Sequence, residues 1–219
     1  MVFFAIFIDK GKGRARPSSR TFLTVEKWMN TLHRFALLSL CISGWLTSGV
    51  VHAKAEPPWY LSSESVTAVY GSGNNVIITG LGVRSKEWIR YDSGSWNAHV
   101  LLAGQVALWN GQESAARTSQ IVDMSITPIL RVAHLGFKSF TPYVELGIGA
   151  HLISHTQINR DRKFSTAFQF GEHVEVGMQF GARREYGLGL SLQHVSNGSI
   201  KGPNNGLTYV GLNFLYTFP

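Results

Sequence analysis

Thiols, charge and helical periodicity are all scarce in this chain of 219 residues. Cys41 is the single cysteine. It falls in a stretch read below as a cleaved leader, so the mature chain has no disulfide and no cysteine metal site. Charged residues make up only 15% of the sequence, against 44% hydrophobic and 12% aromatic. A disordered chain lacks apolar surface to offset the entropy of ordering, and this composition excludes that class. The 23 glycines follow no triplet period, which excludes a collagen-like fibre. A net charge of +7 suggests a polyanion partner until the charges are located. Residues 56–219 hold twelve basic and eleven acidic groups, so the body is almost neutral and no nucleic-acid face is indicated.

What is present begins with an export signal. From Met29, His33 and Arg34 form a short basic start, Phe35 to Val51 is apolar, and Ala53-Lys54-Ala55 offers small side chains for a signal peptidase. Ser39, Ser43, Gly44, Thr47 and Ser48 interrupt the apolar run, which favours a cleaved signal over a permanent anchor. Residues 1–28 are read as an upstream extension, 29–55 as the signal peptide and 56–219 as the mature domain.

Beyond residue 63 the chain alternates. Eight segments, 64–71, 75–85, 95–110, 117–133, 140–154, 165–182, 186–197 and 207–218, read as strands between turn clusters. Trp96, Ala98, Val100, Leu102, Val106 and Leu108 share one face, opposite Asn97, His99 and Gln105. Val144, Leu146, Ile148 and Ala150 likewise oppose Glu145 and His151. Each strand therefore has one apolar and one ionisable face. A soluble sandwich would bury the apolar faces. The export signal, the strand lengths and the even strand number instead favour an all-β, eight-stranded antiparallel transmembrane β-barrel of the outer membrane, which leaves no open edge in lipid. Trp88, Tyr91, Trp96, Trp109 and Tyr143 are the expected interface aromatics, and eight strands leave no wide pore.

The seventh segment carries candidate chemistry. Leu188, Leu190, Leu192, His194 and Ser196 have one parity, so His194 and Ser196 belong to the lipid-side row near the strand end. Side chains two apart on a face start ~6.5–7 Å apart at the backbone and can lean together. A serine hydroxyl is a weak nucleophile until a base takes its proton, and a histidine at that spacing can do so. Asn197 follows and offers an amide donor to an oxyanion. Polar groups in an apolar membrane row are expensive and ask for a function, although headgroups and water would also satisfy them.

Three blocks resemble the lipid A 3-O-deacylases of the outer membrane (PagL-type): Thr-Pro-Tyr-Val-Glu-Leu-Gly-Ile-Gly at 141–149, His-Val-Ser-Asn at 194–197 and Ile-Lys-Gly-Pro-Asn-Asn-Gly at 200–206. The resemblance implies a barrel that hydrolyses the ester-linked 3-hydroxyacyl chain at position 3 of lipid A, without a cofactor and with a homodimer as a possible assembly. It also implies Ser196 as nucleophile, His194 as general base and Asn197 as oxyanion donor. The family's best-known members place a glutamate where this chain has Thr208. With a tight turn near 201–202, Thr208 is expected opposite His194 and on its face, where a hydroxyl can hold the imidazole tautomer but cannot stabilise an imidazolium as a carboxylate does. Glu172, estimated to lie across from Ser196 within two residues, is the candidate replacement acid, and a Ser-His dyad is the other reading. The rival functions are a non-enzymatic barrel, an adhesin or structural protein, and an acyltransferase, which would need an interior acyl cavity.

The remaining polar residues read as structural. Asp123, Arg131, Glu145, His151, His173 and Glu175 share the inward parity and are expected to form an interior network. The histidines lack tight metal-ligand spacing, so no metal is expected. Gly80, Gly82, Gly147 and Gly149 alternate within strands and suggest close packing. Arg160, Asp161, Arg162 and Lys163 form a charged loop that is either a solvated turn or a contact for lipid A phosphates.

Overall fold

The computed structural model describes residues 63–113 and 118–219; the extension and signal peptide lie outside the described residues. The strands are β1 (Ser63–Gly73), β2 (Val76–Ser85), β3 (Ile89–Ser93), β4 (Trp96–Gly111), β5 (Gln120–His134), β6 (Phe140–Ile153), β7 (Gln157–Ile158), β8 (Arg162–Lys163), β9 (Phe168–Phe180), β10 (Tyr186–Ser196) and β11 (Leu207–Thr217). β1 pairs with both β2 and β11, and β2 pairs with β4, so the antiparallel meander closes on itself. β2 covers the Ala103–Gly111 half of β4 and β3 covers its Trp96–Val100 half. Together they make one wall strand, and the barrel has eight. The small β7–β8 hairpin forms a separate two-stranded sheet that is not paired with the wall.

The two faces of the wall are inverted relative to a water-soluble protein. Glu145 is 0% exposed, while Leu81 is 71% exposed and Val106, Val176 and Leu190 are each 54% exposed. Such an apolar surface has the lower free energy in lipid, and the soluble-sandwich alternative fails here. The six inward-parity residues do form the interior. Glu145 accepts from Arg84 Nη1 at 2.7 Å and Nη2 at 3.1 Å, and from Arg131 Nε at 2.6 Å. Tyr143 Oη donates to Glu175 at 2.7 Å, and His151 Nδ1 lies 2.9 Å from Asp123. A cavity of about 50 Å³ among Arg84, Gln105, Thr127, His173 and Gln193 has room only for water. Two strand glycines make the close packing possible: a Cβ on Gly149 would fall 2.1 Å from Thr127 Oγ1, and one on Gly147 2.8 Å from its Cγ2.

Two of the expected interface aromatics are not at the interface. Trp109 is 0% exposed and Tyr143 is 4% exposed. Both have inward parity, Trp109 in step with Leu101 and Ala107, Tyr143 in step with Glu145. Tyr143 stacks under Arg131, 4.2 Å from the guanidinium carbon to the ring centre. Trp88, Tyr91 and Trp96 do stand exposed, at the end of the barrel closed by short turns such as 94–95 and 181–185. The longer connections 154–167 and 197–206 share the opposite end. In outer-membrane barrels short turns face the periplasm and long loops face outward, so this second end is the outer one.

That outer end is plugged. Val76, Ile78, Trp109, Ile121, Ile153, Val195 and Leu207 turn inward and meet Ile158 and Phe164 of the hairpin region. The Trp109 and Phe164 rings lie 5.8 Å apart. The signal was present as apolar neighbours on both faces at strand ends, Ile77-Ile78, Leu108-Trp109 and Leu152-Ile153 among them. A strand end buried on both sides loses its alternation.

Candidate active site

β10 carries His194 and Ser196 on the outward face because its register is fixed on both sides. His194 stands opposite Thr208 of β11 and opposite Glu172 of β9, and Ser196 stands opposite Phe170. Glu172 is therefore displaced by two residues from its expected place across from Ser196. One lateral row on the barrel wall, Glu172, His194 and Thr208, is polar in an otherwise apolar surface. Cβ atoms of directly opposed residues lie ~4.5–5.5 Å apart, so Thr208 and Glu172 flank His194 from the two neighbouring strands. His194 Nδ1 and Thr208 Oγ1 are 2.7 Å apart, a hydrogen bond across the strands. Thr208 is itself fixed, since its backbone N–H donates to Asn74 Oδ1 at 2.8 Å. Asn74 and Asn75 form the β1–β2 turn at φ 51° and 58°, a conformation asparagine tolerates.

Ser196 ends β10 and is 8% exposed. The wall departs here into the 197–206 loop. Asn197 is fully buried, and its side-chain amide donates to the carbonyls of Phe164 and Lys201, each at 2.7 Å. Both amide hydrogens are thereby committed to loop carbonyls. The main-chain N–H of Asn197 makes only a long 3.4 Å contact with Asn204 Oδ1. Gly198 follows at φ +63° with the Phe170 ring beside it.

The charged loop is less solvated than its composition suggests. Arg162 Nη1 donates to the carbonyl of Gly206 in a short bond and to that of Asn205 at 3.4 Å. Burial lowers the Arg162 pKa from its ordinary value, against the opposing effect of Asp161 and Glu113; a guanidinium remains charged regardless. Asn205 donates its N–H to Lys163 O at 2.8 Å and accepts from the Lys163 N–H at 3.0 Å. Sequence reasoning missed the roles of Arg162, which clamps the Gly206 carbonyl 44 residues away, and Phe164, whose carbonyl takes the Asn197 amide 33 residues away.

Gly206 shows what the clamp protects. It sits at φ +60°, and a Cβ there would fall 2.9 Å from Cε1 and 3.3 Å from Nε2 of His194. The imidazole rests against bare backbone. Gly206→Ala is expected to lower kcat by about 100-fold through displacement of the ring, the scale on which small misplacements act. The barrel, assayed by heat-modifiable mobility in gels, should still form.

Among the described residues one group has metal-like proximity, Glu145, His173 and Glu175. Glu145 is already neutralised by two arginines, and the trio belongs to the interior network.

The model of the family described as "Lipid A 3-O-deacylase (PagL)" matches residues 78–217. The chain is 42% identical over 167 residues to "Lipid A deacylase PagL" of Bordetella bronchiseptica, an alignment covering 76% of this chain and 88% of that one. It is 27% identical over 115 residues to the protein of that name from Pseudomonas aeruginosa, covering 52% and 59%. The solved structure "Crystal structure of the outer membrane enzyme PagL" superposes with a TM-score of 0.60 at 19% identity, covering 70% of this chain and 99% of that one. That last likeness is one of fold.

Proposed function

The chain belongs to the lipid A 3-O-deacylase family, and from that premise we propose that Ser196, His194 and the main chain at Asn197 carry the reaction of this outer-membrane ester hydrolase. The row Glu172, His194 and Thr208 beside Ser196, on the lipid face and at the outer end, is the observation that supports the reading most. Lipid A presents its acyl esters at that depth, and the bilayer itself carries the chain being cut.

In this mechanism His194 keeps its Nδ1 proton on Thr208 Oγ1 and uses Nε2 as the base. Nε2 takes the proton of Ser196 as Oγ attacks the ester carbonyl. The negative charge that develops on the carbonyl oxygen is met by backbone N–H groups at Asn197 and Gly198. The Asn197 side chain holds those groups in place by tying the 197–206 loop to the hairpin. Collapse of the tetrahedral intermediate expels the sugar hydroxyl, which takes the proton from His194. Water then repeats the sequence on the acyl-enzyme and frees the 3-hydroxy acid. Glu172 supplies the negative charge that Thr208 lacks, facing the imidazolium from the other strand. The homodimer implied by the resemblance belongs to the same proposal.

The test of the activity is mass spectrometry of lipid A after incubation with the detergent-folded protein. Loss of one 3-hydroxyacyl group is expected, and an unchanged spectrum from a folded barrel counts against it. The roles around His194 separate by substitution. Thr208→Val should lower kcat roughly tenfold by freeing the tautomer, and Glu172→Gln should lower it by a similar factor. Thr208→Glu should restore turnover to the Glu172→Gln background. If neither single substitution changes kcat, His194 is oriented by something else.

A further inference from the structure

The two segments that Asn197 ties together carry two cations that the mechanism leaves unused. Lys163 at the end of β8 and Lys201 in the 197–206 loop are exposed, and neither ammonium has a hydrogen-bond or ion-pair partner among the described residues. Their backbones are joined through one side chain. Asn197 donates one amide hydrogen to the carbonyl of Phe164, next to Lys163, and the other to the carbonyl of Lys201 itself. Asn197 follows Ser196 directly. Asn205 fixes Lys163 from both sides of its peptide, and Ser165 Oγ donates to Pro203 O at 2.6 Å. The two lysines are thus mounted on a braced scaffold at the outer end of the barrel, at headgroup level. Arg162 turns its charge to the carbonyls of Asn205 and Gly206. Arg160 and Asp161 stand exposed in the hairpin turn, and Glu172 belongs to the apolar wall at the level of His194.

We infer that Lys163 and Lys201 form a phosphate subsite, which holds the anomeric phosphate monoester of lipid A while the ester on the same sugar ring enters at Ser196. This rests on Ser196 being the nucleophile. An ammonium on a flexible stem suits a phosphate as a point charge that accepts several approach angles. The Asn197 amide then has a double purpose, since it sets both the nucleophile's loop and the spacing of the two cations.

The experiment compares kcat/KM of the full-chain protein, in uncharged detergent, on bisphosphorylated lipid A and on lipid A lacking the anomeric phosphate. The wild type is expected to prefer the phosphorylated substrate by about tenfold, expressed mainly in KM. Lys163→Gln with Lys201→Gln should bring that ratio close to one, each single substitution should lower it part of the way, and raised salt should mimic them. A ratio unaltered by the double substitution overturns the proposal. So does an equal loss on both substrates confined to vesicles containing phosphatidylglycerol, which would assign the cations to membrane phosphodiesters. Heat-modifiable mobility checks folding, and the single variants carry the test if the double variant does not fold. Ser196→Ala distinguishes the two readings, since surviving turnover there defeats the nucleophile assignment, whereas an unaltered ratio defeats the subsite alone.

Discussion

Ser196→Ala is expected to reduce lipid A deacylation by about ten-thousand-fold or more in kcat, with the barrel still folded. Removal of a nucleophile that works with a base abolishes the covalent route and leaves only what binding and oxyanion stabilisation supply. His194→Ala should have an effect of the same order. The double variant should be hardly worse than either single one, because the two side chains act as a unit and their losses do not add. The structural risk is small at Ser196, whose hydroxyl supports no hydrogen bond among the described residues. The check is single-turnover release of 3-hydroxy acid, read beside heat-modifiable mobility. Retention of more than about a hundredth of wild-type activity by Ser196→Ala would remove the serine mechanism and leave the family activity in need of another nucleophile.

Glu145→Ala is expected to act on stability instead, by about 3–5 kcal/mol. Glu145 is sealed inside the barrel and accepts hydrogen bonds from both Arg84 and Arg131. Its removal strands two guanidinium charges where water hardly reaches. The network's intact form contributes far less than the loss implies, because desolvation of the ions offsets their attraction. Glu145→Gln keeps an acceptor oxygen but not the charge, and should be intermediate. Urea unfolding in detergent micelles reads both, as a lowered midpoint at an unchanged slope. A slope that falls as well would show that the variant barrel is already loosened before unfolding. Activity per folded molecule should change little, since the network lies on the opposite face of the wall from His194 and Ser196.

The contrast between these two variants follows from parity, and parity was legible in the sequence. A strand turns alternate side chains to opposite faces, so the segment from Leu188 to Ser196 assigned His194 and Ser196 to the lipid side, and that from Val144 to Ala150 assigned Glu145 to the interior. Trp109 and Tyr143 are buried because their parity, not their residue type, sets the face they occupy. An aromatic ring suits an interface, yet a strand position facing inward puts it in the interior whatever its type. Glu172 stands opposite His194, two positions from Ser196 and at the limit of the expected range, since the length of the 181–185 turn cannot be read from composition, and a register is fixed only when turn geometry is known.

The sequence alone determined the closed all-β wall, the inverted faces, the row that carries His194 and Ser196, and the blocks that relate the chain to its family. Those follow from periodicity and from local spacing, which neighbouring residues encode. Tertiary structure decided what surrounds the row. Thr208 was expected opposite His194 and stands there; the closed wall added Glu172 on the other side of the imidazole, set bare Gly206 against the ring, and turned Asn197 inward to bind the hairpin. It also made Arg162 a clamp where its neighbours suggested a solvated turn. Each of these joins residues distant in the chain, and only the closed barrel and its packed outer end fix which partner each one finds.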